Sequence, residues 1–245
     1  MTTSTNPPTV QNAGDTRAVI YNIIVFFPFA AIFMFALLRA LSWEQYVVVV
    51  HEDGIVEYTT AVVYLLATII AVLIALDLRK SGEKFLSWCC ALGAAGFAFI
   101  MLEEISWGQR IFDVATPGRI RALNAQREMN FHNLKPVQNI LHFIYITVSA
   151  WCIFGRYLIP KSLSNEHSVF FRLAAPRGVA VLYFVPVFVF YSWWEFVRPT
   201  LMTYDIIVAH WRDQEPVELL MACGFLVHIA MNHKTLGLKL HREQN

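Results

Sequence analysis

Six apolar runs limit what this chain can fold into more than any motif does. They cover about residues 18–41, 55–76, 85–104, 137–159, 178–197 and 217–236. A membrane-crossing helix needs about 20 mostly apolar residues, and each run reaches or approaches that length. Inside lipid the backbone must satisfy its own hydrogen bonds, so runs of this kind become helices. The expectation is an all-α integral membrane bundle of about six transmembrane helices, with an interfacial loop or short helix between the third and fourth. Charged residues make up only 15% of the chain, against about 25% in a soluble domain. Residues 1–16 are polar, with Pro7-Pro8 and Gly14, and read as a disordered tail. Residues 17–240 read as one transmembrane domain and 241–245 as a C-terminal tail. The first run is too long for a signal-peptide core and has no small-residue cleavage site beside it. Trp43 to Val50 reads as an interfacial approach to the second span, and Pro186 as a kink in the fifth.

Charge orients the bundle. With six spans and a cytoplasmic N-terminus, eleven of the nineteen Lys and Arg residues fall on the cytoplasmic side, the direction the positive-inside rule requires. The expectation is a multi-pass cell-membrane protein with both termini in the cytoplasm. The acidic residues sort more sharply. Thirteen of eighteen fall on the opposite, extracytoplasmic edge, from stretches far apart in sequence. A net charge of +1 gives no case for nucleic acid as a partner. The cysteines, Cys89, Cys90, Cys152 and Cys223, lie in apolar runs without metal-finger spacing and read as small apolar fillers.

Four groups on the acidic edge carry chemistry. Glu103-Glu104 end the third run and are followed by Ser106-Trp107-Gly108-Gln109-Arg110. Ionisable residues at a membrane boundary are costly and by default mark function. Helical steps back from Glu103 give Ile100, Gly96, Gly93 and Cys89, a small-residue stripe suited to close helix packing. Glu103 is therefore expected to face the bundle, with Glu104 turned away by about 100°. A carboxylate at a helix C-terminus opposes the dipole and needs a partner: Arg110, a metal, or a shared proton.

Asp53, Glu57, Thr60 and Tyr64 form a helical stripe entering the second span. In the loop from Asn124 to Asn133, Asn124, Gln126, Glu128, Asn130 and His132 share a face if the chain is extended. Glu128 and His132 also share one if it is helical. Glu103, Glu128 and His132 are thus the candidate ligands for a divalent metal. Asp53, Glu57, Asn124, Gln126, Asn130, Arg110 and His142 are candidate contacts to a substrate. Gln138, His142, Tyr145 and Ser149 continue a polar stripe down the fourth span, which Pro136 opens. Glu195 and Arg198 are spaced to neutralise each other, and His228 and Asn232 lie in the last span.

The motifs Glu-Asp-Gly-x-x-Glu, Glu-Glu-x-Ser-Trp-Gly-Gln and Asn-x-Gln-x-Glu-x-Asn-x-His-Asn, over about residues 50–135, resemble those of a group of bacterial multi-pass membrane proteins. The resemblance implies a bacterial membrane protein and carries no activity with it. Glu103-Glu104 and His228-x-x-x-Asn232 also resemble, in part, intramembrane proteases of the CAAX-processing and bacteriocin-protection type. Against that pattern Arg110 is two positions late, and the Phe-x-x-x-His element does not occur.

The leading expectation is a polar site that binds or acts on a lipid or lipid-linked headgroup. In an enzyme, Glu103 or Glu104 would serve as general base, with Glu128 and His132 binding metal or moving a proton. A proton, ion or small-solute transporter, or a non-catalytic subunit of a membrane complex, are the alternatives. Membrane lipids are the expected partners, with a homo-oligomer or another membrane protein also open.

Overall fold

The computed structural model describes residues 11–51, 54–159, 170–171, 173–203 and 214–243. Asp53, and with it the first member of the stripe in the second span, lies outside the described residues. The elements, in order, are α1 (Gln11–Leu41), α2 (Trp43–Val50), α3 (Ile55–Lys80), α4 (Lys84–Glu104), α5 (Gly118–Leu123), α6 (Lys135–Leu158), α7 (Val181–Ser192), α8 (Arg198–Thr203) and α9 (Glu215–Glu243). A π-helical turn, Trp193–Val197, joins α7 to α8 without a break. Six helical stretches are long and apolar enough to cross a membrane. They coincide with the six runs of the sequence, so the chain is an all-α, multi-pass membrane bundle.

Two boundaries differ from expectation. α1 begins at Gln11, so helix takes in part of the stretch expected to be a tail. α9 likewise continues to Glu243 rather than ending near residue 240. The expected approach to the second span is a helix of its own, α2, which buries Tyr46 and Val50. The Arg39 guanidinium lies 4.8 Å above the Trp43 ring and holds α1 against α2.

The packing order runs α4, α3, α9, α7, α6, with α1 against α2, α7 and α9. α9 is therefore central. Water-driven burial cannot associate helices in lipid, so close packing of small residues carries that role. The small seam lies on α3, where Ala67, Ala71 and Ala75 recur every fourth residue and are buried. Opposite it, Ser87 Oγ of α4 donates 2.7 Å to Ala75 O. On α9, Gly224 allows close approach to α7: a Cβ there would lie 2.9 Å from both Phe184 Cζ and Tyr183 Cβ. Outward faces are apolar, as Phe26, Phe29, Phe33 and Met34 on α1 show.

The phase of α4 corrects the sequence reading. Gly93 and Gly96 do not make the seam; a Cβ on either would meet nothing within 4 Å. The face turned to the bundle carries Leu86, Ala94 and Glu104, all buried, with Cys90 and Phe97 on the same stripe. Glu104, not Glu103, looks into the bundle. The small-residue argument failed because those glycines face open space, and close approach is provided by alanines on the neighbouring helix.

Candidate functional site

Glu103 is also buried, but beneath the loop that follows α4. Its Oε2 accepts from the backbone N–H groups of Phe131 (2.6 Å) and His132 (2.9 Å). Its Oε1 accepts from the Trp107 indole at 2.5 Å. The turn that makes this possible is unusual: Ser106, Trp107 and Gly108 all have positive φ, at 45°, 57° and 75°. Left-handed backbone is costly for a residue as large as Trp. The indole bond and edge-on contacts with Phe99 and Phe131 hold it there.

Glu128 is fixed in the same way. It accepts from Ser106 Oγ, from Arg110 and, at 3.2 Å, from Asn130 Nδ2. Arg110 thus pairs with Glu128 rather than with Glu103 or Glu104. Asn124 organises the other end of the loop. Its Oδ1 accepts from the N–H groups of Gln126 (2.8 Å) and Glu128 (3.2 Å), and its Nδ2 donates to Asn130 O (2.9 Å) and Oδ1 (2.7 Å). Gln109 Oε1 accepts from Met129 N at 2.8 Å. The two motifs that flank this loop therefore interlock as a clasp, with Arg127 in a left-handed turn (φ 64°). Both faces expected from simple periodicity are replaced by this irregular path.

Beside the clasp lies a cavity of about 260 Å³ at the acidic end of the bundle. Gln126, His132 and Asn133 of the loop line it, with Gln138 and His142 of α6. Gln214, Glu215 and Glu218, at the start of α9, and His51, at the end of α2, also line it. Two of these residues form matching units. His142 Nδ1 lies 2.5 Å from Glu195 Oε1, and its Nε2 lies 3.3 Å from Gln214 Nε2. His132 Nδ1 lies 3.4 Å from Glu103 Oε2, and its Nε2 lies 3.0 Å from Asn133 Nδ2. One assignment satisfies both: Nδ1–H faces the carboxylate and the Nε2 lone pair faces the amide. The π-helical turn that carries Glu195 adds a residue to the helix and sets that carboxylate against α6. Arg198, the expected partner of Glu195, lies 4.7 Å above the Trp194 ring.

Under the cavity the carboxylates meet. Ligand atoms of Glu104, Glu215 and Glu218 all lie within 4.8 Å of one another. Among the described residues this is the group of acidic and metal-binding side chains close enough to share a cation. Glu103, Glu128 and His132, the expected ligand set, do not form such a group there. Glu218 is oriented by Tyr191, whose hydroxyl donates to Oε1 at 2.7 Å. Glu57 and Thr60, from the expected stripe, are buried in the first two turns of α3. His142 and Ser149 are buried on α6, as the expected polar stripe there requires.

A register relation closes the chamber from below. Seven residues, about 10 Å of helix, separate Glu57 from Tyr64, Glu104 from Phe97, Tyr191 from Phe184 and Glu218 from Phe225. These four rings form a layer, with Phe225 5.4 Å from Phe97 and 5.0 Å from Phe184, and Phe97 6.1 Å from Tyr64. His228 lies past that layer. Its Nε2 is 2.6 Å from Leu173 O and 3.1 Å from Asn232 Nδ2. Ten residues of α9, about 15 Å, separate it from Glu218, so the structure does not bring His228 to the carboxylates.

The sequence pattern singles out Glu103, Glu104, Glu128, His132 and His142, whereas Glu215 and Glu218 belong there only to the thirteen acidic residues of one membrane edge. Gln214, Asn133 and Tyr191 were not singled out. The common membrane side of Glu104, Glu215 and Glu218 was the available signal. No protein-family model, curated protein or solved structure matches the chain.

Proposed function

We propose that the protein takes the polar headgroup of a lipid or lipid-linked molecule into this cavity and transfers protons on it. The observation that carries the reading is the pair of Glu–His–amide units lining one cavity. A carboxylate behind Nδ1 fixes the tautomer and the ring orientation, so that the Nε2 lone pair faces the cavity. Each Nε2 is then placed to accept a proton from a hydroxyl or ammonium group that displaces the neighbouring amide. The cavity's size suits a headgroup rather than an acyl chain, and its wall is chiefly amide, imidazole and carboxylate. Among the described residues no Lys or Arg lines it, so hydroxyl or ammonium groups suit that wall better than bare phosphate. The ring layer favours headgroup chemistry over a conducting path, because it interrupts the polar residues midway. The acidic distribution and the basic bias of the other loops support an extracytoplasmic cavity with both termini in the cytoplasm.

The test is headgroup turnover and lipid retention by the chain in proteoliposomes of mixed bacterial lipid, for the wild type, His142→Gln and His132→Gln. Loss of turnover by 100-fold or more in each variant, with lipid still retained, is expected. Unchanged turnover in both variants, or no turnover of any headgroup by the wild type, would refute the reading.

A further inference from the structure

The carboxylates beneath the cavity have a role that the two histidine units do not fill. Glu215 and Glu218 sit in the first turn of α9, where the positive end of the helix dipole favours them. Glu104 has no such support. It is the last residue of α4, where the dipole is unfavourable. It is only 8% exposed, and no hydrogen bond or ion pair reaches it among the described residues. Its carboxylate nevertheless points at two others, within 4.8 Å. Burying a carboxylate without a donor is costly, and gathering three is more so.

We propose that Glu104, Glu215 and Glu218 bind one hard divalent cation of the magnesium, manganese or calcium kind. Ligand oxygens lie 2.0–2.6 Å from such ions, so two on opposite sides of one ion stand about 4–5 Å apart, the separation these groups allow. A set made only of carboxylate oxygens favours hard ions over zinc or copper. The Tyr191 hydroxyl on Glu218 is the outer bond that orients a ligand. The open side of the site is the cavity itself, which Glu215 and Glu218 line. An ion there has coordination positions left for a ligand entering from the membrane edge. The site does not rest on the headgroup reading, because the ion answers a charge problem present whatever occupies the cavity.

The experiment uses the full chain in nanodiscs of zwitterionic phosphatidylcholine, with manganese chloride alone as probe. Binding is followed by loss of the free-ion paramagnetic resonance signal and by the rise in melting temperature. One saturable manganese per chain is expected, competed by magnesium or calcium. Affinity should fall by at least 10-fold in Glu104→Gln and in Glu218→Gln, and by a smaller factor in Tyr191→Phe. Glu44→Gln, at an exposed carboxylate in the first turn of α2 outside the cavity, should bind as the wild type does. The glutamine variants keep shape and remove like charge, so they should fold, and wild-type stoichiometry is read without them. No saturable binding by the wild type, or unchanged affinity in either Glu104→Gln or Glu218→Gln, overturns the site. The readout is ion binding without turnover, and the choline headgroup of the carrier lipid has no proton for either histidine to take, so failure here leaves the histidine chemistry untouched, and failure of turnover leaves this site untouched.

Discussion

Glu103 and Glu104 are neighbours in sequence, both buried, and lead into opposite kinds of structure. Glu103 opens the clasp, where three N–H donors converge on its carboxylate and a second glutamate, Glu128, is paired with Arg110. Glu104 opens the chamber, where, among the described residues, two more carboxylates lie within 4.8 Å of its own. One turn of about 100° on the helix separates the two environments. A buried charge that is fully hydrogen-bonded locks a loop. One left facing like charges holds no structure together and has chemical capacity to spare.

Removing each side chain should separate these roles. The largest effect on stability is expected from Glu103→Ala, which strips the acceptor from two backbone N–H groups and an indole. At about 1 kcal/mol for each lost bond, the loss is about 3 kcal/mol, read by denaturant unfolding in micelles. A loss below 1 kcal/mol would break the distinction between clasp and chamber. Next is Arg110→Met, which leaves Glu128 buried with only neutral donors. Arg110 is half-exposed and water can replace part of the pairing, so about 1–2 kcal/mol is expected, with the loop around Arg127 becoming sensitive to limited proteolysis. The smallest effect is expected from Glu104→Gln. Relief of like charge should leave unfolding stability within about 0.5 kcal/mol of the wild type or raise it, measured without divalent ions. A loss as large as that of Glu103→Ala would mean that Glu104, too, is part of the scaffold.

How much of this was legible in the sequence follows from the range of each interaction. The six spans are local, continuous signals in hydropathy, and all six reappear. The clasp was half legible: Glu103, Arg110, Glu128 and the amides stood out as misplaced polar residues, but their pairing depends on the left-handed turn at Ser106 to Gly108. Helical phase was misread on α4, because Gly93 and Gly96 looked like a packing face and are open. The chamber was least legible. Its carboxylates come from the end of α4 and the start of α9, and the partner of His142 is re-aimed by a π-helical turn. No local periodicity encodes either relation. Only the shared membrane side of the acidic residues hinted at it.

The ring layer two turns below the carboxylates has a consequence for traffic. Among the described residues, the aromatic floor shuts the chamber on the side away from the acidic edge. Whatever enters must leave by the way it came, so a product competes with the next ligand for the same opening. Under the proposed reading, headgroup and ion therefore both reach the chamber from a single face of the membrane.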